Sequence, residues 1–371
     1  MRFKSQLTNV ATFSKFTASL SSLGKVCWVR LEDDVVRFSI APDQGTQVWA
    51  QLPIDTVFDS YSISSVAKVI NLEVPIGALH RALKSATGAT SAQLRLTKKG
   101  NQPLLALTVV TSSWTSGKNA LGVDEGRGNA TSGPASRASQ SLEDGGAALT
   151  GIPAAELLRD GPRERETIVT QEIPIRVLHP STVEGLHEPR WRDPDVHIIL
   201  PSLIQLKSIS ERFTKLATDT TSNKSGNVNA GGNGNGPGLV GASHSSGPKL
   251  ELSANMHGSL KLAIATDALR ISSVWAGLVN PPLDPAHMSQ NEIAQLPSER
   301  MRARGADGEE GWAKVRIDGK DWGRVLSVGR LSPKVVACFI HETALILYVY
   351  LPGGMGGEDS CLTYYINSYA A

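Results

Sequence analysis

The stretch HEPRWRDPDVHIILPSL, His187 to Leu203, changes character half-way along. Its first half is polar, charged and interrupted by two prolines, whereas Val196 to Leu200 is an apolar run closed by Pro201. Prolines stiffen an extended segment, and a short apolar run followed by a proline predicts a buried strand and then a helix start. We therefore interpret 179–195 as a connector between two units, each with its own core.

Four amphipathic helices are predicted, two before and two after this connector, because apolar residues recur at steps of three and four. Their predicted bounds are Asn9–Leu23, Pro75–Thr87, Pro201–Ala217 and Asp318–Leu331. Between them lie short alternating segments, such as KVCWVRLE and SLKLAIAT, which predict strands paired as hairpins in antiparallel sheets. The chain is therefore predicted to have an α+β fold.

Three stretches are rich in Gly, Ser and charge and poor in large apolar side chains, which predicts flexible insertions at about 112–167, 218–247 and 286–310. Without them, both halves follow one order: strand, helix, several strands, helix, more strands. We predict a duplication, with a first domain over 1–178 and a second over 196–371. Similar spacing also arises by chance in α+β chains, so the pattern supports a duplication without proving it.

Composition narrows the class of protein. A chain of 371 residues with 40% hydrophobic residues suits two domains with real cores. The net charge of +2 excludes a strongly basic nucleic-acid coat but allows positive charge on one face. Three widely spaced cysteines favour a reducing compartment, and neither a secretory signal nor a membrane-spanning apolar run is found. We expect a soluble intracellular protein.

Motifs for catalysis are missing from the sequence. None of the eight histidines belongs to an HExxH motif or pairs with a cysteine at zinc spacing. GPGLVG at 236–241 fits GxGxxG, but it lies inside the second insertion, where no strand precedes it and no helix follows. Asp193 and Asp195 flank Pro194 and are better explained as turn residues. We predict no catalytic residue, no metal ligand and no cofactor.

Positive charge is concentrated on the four predicted helices, which carry nine basic and three acidic residues. Amphipathic helices always expose charged residues, but these usually have mixed signs. The bias towards positive charge favours a surface that faces phosphates.

Several segments together resemble one known family. MRFKSQL, LEVPIGALHRALKSA, EIPIRV, DPDVHIILP and NPPL, in this order, are similar to the Hus-one family, whose members are subunits of the heterotrimeric checkpoint clamp (the nine-one-one complex). The resemblance covers nearly the whole chain outside the three insertions. It implies a DNA clamp fold like that of proliferating cell nuclear antigen, in which two duplicated domains place antiparallel sheets outside and four helices around a central hole.

The resemblance also implies site residues. The residues expected to face DNA are Lys15, Arg81, Lys84, Lys207, Lys215, Lys320 and Arg324. The residues expected at the edges that pair with other subunits are Glu172, Ile173, Ile175, Val177, Leu269, Ile271 and Val274. In clamps, a groove beneath the connector receives short hydrophobic motifs from client enzymes. Val183, Leu186 and Trp191 are expected to line it, although Trp191 would equally serve to anchor the connector.

By resemblance, the chain is a non-enzymatic clamp subunit that encircles damaged or stalled DNA, supports checkpoint signalling and tethers repair enzymes. Its expected partners are two other clamp subunits, DNA held without sequence readout, a checkpoint clamp loader and repair enzymes, with no membrane. We expect it in the nucleus, on chromatin after damage, with the cytoplasm open as a second location.

Two other functions stay open at this stage. One is a homotrimeric processivity clamp that acts alone, and the other is a DNA-modifying enzyme, which would need a metal-binding carboxylate cluster. The third insertion adds Arg300, Arg302 and Arg304, which would contact DNA or the clamp loader or simply be solvated.

Overall fold

The computed structural model describes residues 1–42, 45–115, 163–225, 249–282, 290–305, 308–331, 334–350 and 361–369. The strands of the first half are β1 (Arg2–Leu7), β2 (Val26–Leu31), β3 (Val35–Ile40), β4 (Gln47–Pro53), β5 (Phe58–Ser64), β6 (Ile70–Pro75), β7 (Ser91–Lys99), β8 (Gln102–Thr115), β9 (Arg163–Pro174) and β10 (Arg176–Leu178). Those of the second half are β11 (Val196–Ile199), β12 (Lys249–Asn255), β13 (Leu260–Ala265), β14 (Arg270–Trp275), β15 (Trp312–Asp318), β16 (Val335–Ile340), β17 (Ala344–Tyr350) and β18 (Cys361–Asn367).

The helices of the described residues are α1 (Val10–Ser21), α2 (Ile54–Val57), α3 (Ile76–Ser85), α4 (Pro180–Val183), α5 (Leu203–Ser225), α6 (Gln290–Gln295), α7 (Pro297–Ala303) and α8 (Gly319–Val325). Two 3-10 helices follow α7 and α8, at Glu309–Gly311 and Leu326–Arg330. The four predicted amphipathic helices correspond to α1, α3, α5 and α8 with its 3-10 extension.

The strands form three antiparallel sheets. One has the order β5-β1-β7-β8-β9, the second β10-β6-β2-β3-β4-β18-β17-β16-β11, and the third β14-β13-β12-β15. The second sheet runs through both halves of the chain, because β4 pairs with β18 in a register that places Val48 opposite Tyr364. We call this β4–β18 pairing the internal joint.

The two halves repeat one arrangement of strands. The run β1-β7-β8-β9 corresponds to β11-β16-β17-β18, and β4-β3-β2-β6 corresponds to β14-β13-β12-β15. In each half, one helix follows the first strand and another follows the strand that ends the second run. The common order that the sequence predicted is therefore present, while the domain boundaries themselves stay a prediction.

Local signals explain where the helices begin. Asn9 caps α1, because its side-chain oxygen accepts a hydrogen bond from the Thr12 amide at 3.0 Å. Asp318 caps α8 by accepting bonds from the amides of Lys320 and Asp321. Pro75 precedes α3 directly, where its fixed φ suits a helix entry.

Aromatic packing holds the first half together. Phe13 and Phe16 of α1 are both buried and contact Phe38 of β3 edge to face, with ring centroids 6.0 and 5.0 Å apart. Burying one such side chain contributes roughly 1.5–3 kcal/mol, which fixes α1 against the sheet.

The structure corrects the bounds of all three predicted insertions. Residues 112–115 and 163–167 are paired strand, with Ser112 opposite Glu166, and residues 218–225 continue α5. In the third insertion, α6 and α7 form a helical segment in which Leu296, Ser298 and Met301 are buried. The flexible loop predicted for 290–305 is therefore wrong, because packing against the neighbouring strand β11 buries its few apolar residues. The rest of the predicted insertions, 116–162, 226–247, 286–289 and 306–307, lies outside the described residues.

Two predicted strand bounds also change. The segment predicted as one edge, Glu172 to Leu178, is divided: β9 ends at Pro174, and β10 pairs with β6 in a different sheet. Val177 therefore lies opposite Leu72 within that sheet. In the second half, β14 begins at Arg270, and Leu269 lies in the preceding turn.

Candidate functional site

The seven cations predicted to face DNA all lie on α1, α3, α5 and α8. Six of them are exposed, and Lys207 is half-buried. Within this set, Lys207 lies 3.8 Å from Glu211 and Arg324 lies 3.1 Å from Asp321. Such exposed pairs contribute little to stability, so the cations are free to exchange these carboxylates for phosphates.

The four helices form two pairs that meet at one point. α1 packs against α3, and α5 packs against α8. The pairs meet where Ser22, the C-cap of α1, lies 3.2 Å from Ser327, with Oγ facing Oγ. The Ser22 hydroxyl also reaches the Arg324 carbonyl at 3.5 Å. The cationic helices therefore belong to one connected layer.

Two strands, β9 and β14, end sheets and have one edge unpaired within the described residues. On β9, Glu172 is exposed, while the Ile173 side chain is buried in the chain's own core. Ile175 is buried beside β9, after the strand ends. On β14, Ile271 is half-buried and Val274 is 58% exposed. Unpaired edges of this kind accept a strand from another chain.

A groove with a volume of about 180 Å³ lies on the outer face of the sheet, beneath the connector. The connector contributes Val183 and Leu186 to its lining, as predicted from the resemblance. The strands contribute Trp28, Arg30, Arg37, Trp49, Gln51 and Asn71, among others. These strand residues were missed by the sequence analysis.

A signal for them was present in the sequence. In KVCWVRLE, alternate residues Cys27, Val29 and Leu31 are buried, so Trp28 points to the other face. A large aromatic side chain at an outward position of an alternating strand is a sign of a binding surface.

The groove has one buried polar group without a partner. The Nε1–H of Trp49 is inaccessible to solvent and meets no acceptor in the described part of the chain. Leaving a buried donor unsatisfied costs about 1–3 kcal/mol.

The connector is fastened at two places to strands of the second half, next to the groove and beyond it. The Tyr365 hydroxyl of β18 donates a 2.8 Å hydrogen bond to Glu188, and burial together with this bond raises the pKa of Tyr365. Farther along, Arg192 forms an ion pair with Asp195, whose amide donates to the Phe339 carbonyl. Trp191 lies between these anchors, is 37% exposed and does not line the groove, which corrects its predicted position.

The described residues contain no group of three or more His, Cys, Asp or Glu side chains placed to hold a metal ion. No helix among them is long and apolar enough to cross a membrane.

Comparison with known proteins decides the family. The model of the Hus1-like protein family matches residues 1–370. The chain is a member of the Hus1-like family. Checkpoint protein hus1 of Schizosaccharomyces pombe is 31% identical to this Hus1-like chain over 371 residues, covering 100% of the chain and 99% of the relative. Checkpoint protein HUS1 of Homo sapiens is 24% identical over 375 residues, covering 99% of each.

The Hus1-like chain also has the fold of known clamps. Proliferating cellular nuclear antigen from Entamoeba histolytica matches it with a TM-score of 0.52, at 12% identity, over 99% of each chain. The predicted family and the predicted DNA clamp fold are both confirmed. The assignment of individual residues to DNA, to subunit edges or to clients stays a prediction.

Proposed function

We propose that this Hus1-like chain is a non-enzymatic subunit of a heterotrimeric sliding clamp that encircles damaged or stalled DNA and supports checkpoint signalling. The observation that carries this proposal is the correspondence between the free edges and the internal joint. β9 occupies the place of β18 in the repeated arrangement, and β14 occupies the place of β4. Pairing β9 with a β14-like strand of a neighbour would repeat the internal joint, and three chains joined in this way close a ring.

The same correspondence gives a register for the edges. Tyr364 lies opposite Val48 in the internal joint, and the counterparts of these residues are Gln171 on β9 and Ile271 on β14. The same count sets Ile168 opposite the place of Val274 in a neighbour, so two exposed apolar side chains would meet there. Backbone hydrogen bonds along the edge would add affinity, as in other strand-addition complexes.

In the closed ring, the cationic helices would face the DNA. Lys and Arg side chains attract phosphates without reading base sequence, which suits a clamp that slides. A checkpoint clamp loader would place the ring on DNA, and the nucleus is the expected location.

The test is the molar mass in solution, measured by light scattering. The chain alone is expected to be a monomer, and a mixture with the two other checkpoint clamp subunits is expected to give a one-to-one-to-one complex. A stable homotrimer would instead indicate a self-sufficient processivity clamp. Absence of any complex in the mixture would contradict the assignment of the edges.

The outer groove is proposed to hold short apolar segments of repair enzymes against the rings of Trp28 and Trp49. The change Trp49→Ala removes one of these rings. It is expected to weaken retention of repair enzymes by the assembled ring about tenfold, from the loss of roughly 1.5 kcal/mol of apolar contact. Trp191→Ala, outside the groove, is the matched control, and equal retention by both variants would refute the role of Trp49.

A further inference from the structure

The internal joint shows which helix residues come into contact when two strands of this fold pair edge to edge. α1 and α5 are counterparts: both follow the first strand of a half and contain a buried hydroxyl residue at the same distance from the helix start. Thr17 bonds to the carbonyl four residues before it at 3.0 Å, and Ser210 does the same at 2.6 Å. Counting from the helix starts at Val10 and Leu203, Ser22 therefore corresponds to Lys215.

α3 and α8 are counterparts in the same way. Each begins directly after the last residue of the strand that precedes it, and Leu79 and Trp322, at equal distance from the start, are both buried. Counting on from that pair, Lys84 corresponds to Ser327. Lys84 lies in the last turn of α3, and Ser327 lies in the 3-10 extension of α8.

At the internal joint, the two positions are occupied by small hydroxyl residues, Ser22 and Ser327, whose side-chain oxygens lie 3.2 Å apart. If two copies of the chain joined through β9 and β14, the repeated geometry would place Lys84 of one copy against Lys215 of the other. Both lysines are exposed, and neither is in an ion pair within the described residues. The counterpart of Arg324, whose carbonyl Ser22 reaches, is Arg81, so a third cation would lie beside the same contact.

We propose that Lys84 and Lys215 prevent this chain from pairing with a second copy of itself and so reserve its two edges for non-identical clamp subunits. This inference rests on the proposed function. The strand edges alone do not discriminate against a second copy, because the register of the joint sets Ile168 opposite Val274 and Glu172 opposite Arg270, an apolar pair and a pair of opposite charges. The positive charges on the neighbouring helices supply the repulsion that specificity requires.

The size of the effect follows from Coulomb's law. Two like charges about 4 Å apart repel by about 1 kcal/mol in water and about 4 kcal/mol near a protein surface. These energies correspond to a self-association constant lowered roughly fivefold to a thousandfold at each joint.

The inference also defines the chemistry of the partners. The chain that pairs with β9 presents a carboxylate or a small neutral side chain to Lys84. The chain that pairs with β14 presents such a side chain to Lys215. An acidic side chain at either place would convert the repulsion into an ion pair across the joint.

The experiment compares four full-length proteins by sedimentation equilibrium at low and moderate salt, without DNA: the natural chain, Lys84→Glu, Lys215→Glu and the double variant. Each single reversal sets a carboxylate against a lysine. It is expected to raise the self-association constant at least tenfold, with a larger increase at low salt. The double variant sets two carboxylates against each other and is expected to associate less than either single variant.

Lys15→Glu is the matched control, because it makes the same change in charge on α1, away from both free edges; its mass is expected to equal that of the natural chain. Equal masses for all four proteins would overturn the role of these lysines. A homotrimer formed by the natural chain would overturn it as well. The proposed function is tested separately, because mixing the natural chain with its two partner subunits reports on the heterotrimer whatever the variants do.

Discussion

His197, on β11, is a buried histidine at the contact between strand and helix. It is 3% exposed, and its Nδ1 has no hydrogen-bond partner in the described part of the chain. Burial lowers the pKa of His197; the backbone of Pro281 opposes this in part, the positive charge of Arg302 lowers the pKa further, and Glu299 has a smaller raising effect. The folded protein therefore keeps this imidazole neutral at pH values where a solvated histidine takes up a proton.

This difference predicts a pH dependence of stability. Below the ordinary histidine pKa of 6.5, the unfolded chain binds a proton that folded His197 does not, so the free energy of unfolding falls as pH decreases. The contribution of neutral His197 to the free energy of unfolding is fully present above pH 6.5. Below that value it falls by at most about 1.4 kcal/mol per pH unit. His197→Leu is expected to flatten this slope in urea unfolding at pH 7.5, 6.0 and 5.0. His187→Leu, at an exposed histidine, is the control, and an unchanged slope in His197→Leu would contradict the prediction.

At the scale of the element, α7 shows how a polar segment becomes ordered. PSERMRA contains a single large apolar residue, Met301, which is buried with the neighbouring Leu296. Further bonds hold the helix: Arg302 forms an ion pair with Glu299, and the Arg302 carbonyl bonds to the ring of His257. Arg300 and Arg304 are exposed, and their contact with DNA or with the clamp loader stays a prediction.

Truncating the buried anchor of α7 should loosen this helix selectively. Met301→Ala is expected to cost about 2–4 kcal/mol of local stability, because the cavity lies between the helix and the sheet. Hydrogen exchange of the α7 amides should accelerate accordingly, while exchange in α1 stays unchanged. Arg300→Ala, at an exposed position of the same helix, should change exchange by no more than about 0.5 kcal/mol. Equal protection in both variants would mean that Met301 does not hold the helix.

At the scale of the whole molecule, the internal joint makes the nine-stranded sheet continuous and sets the helices side by side. Lys15 and Lys320 lie on α1 and α8, the two helices that meet at the internal joint, whereas α3 and α5 carry the lysines proposed to meet a neighbouring chain. They are therefore the cations best suited to test contact with DNA apart from assembly.

Reversing both charges, with Lys15→Glu and Lys320→Glu, should weaken the retention of circular DNA by the assembled ring. The slope of log binding constant against log salt should decrease by about one for each phosphate that the ring no longer neutralises. The one-to-one-to-one complex should still form, and Lys68→Glu, in the turn between β5 and β6, should leave the salt slope unchanged. Equal salt slopes for all these rings would remove the helical layer from the DNA interface.

The sequence alone determined the elements and their order, because their signals are local. Steps of three and four placed α1 and α3 within two residues of their observed ends, and alternation placed the strands. Motif similarity gave the family and the clamp fold. Val183 and Leu186 line the groove, as predicted. They could be predicted because the connector is one continuous segment of the sequence.

The tertiary structure alone decided everything that depends on residues far apart in the chain. Only the pairing of β4 with β18 reveals which edges stay free, and α7 is ordered by packing against the distant strand β11 as well as against its neighbours in the chain. The division of Glu172 to Leu178 between two sheets follows from long-range pairing that local propensity does not encode. The approach of Ser22 to Ser327, which gives Lys84 and Lys215 their proposed meaning, joins residues about 300 positions apart. Periodicity acts over a few residues, whereas contacts of this kind arise only when the whole chain has folded.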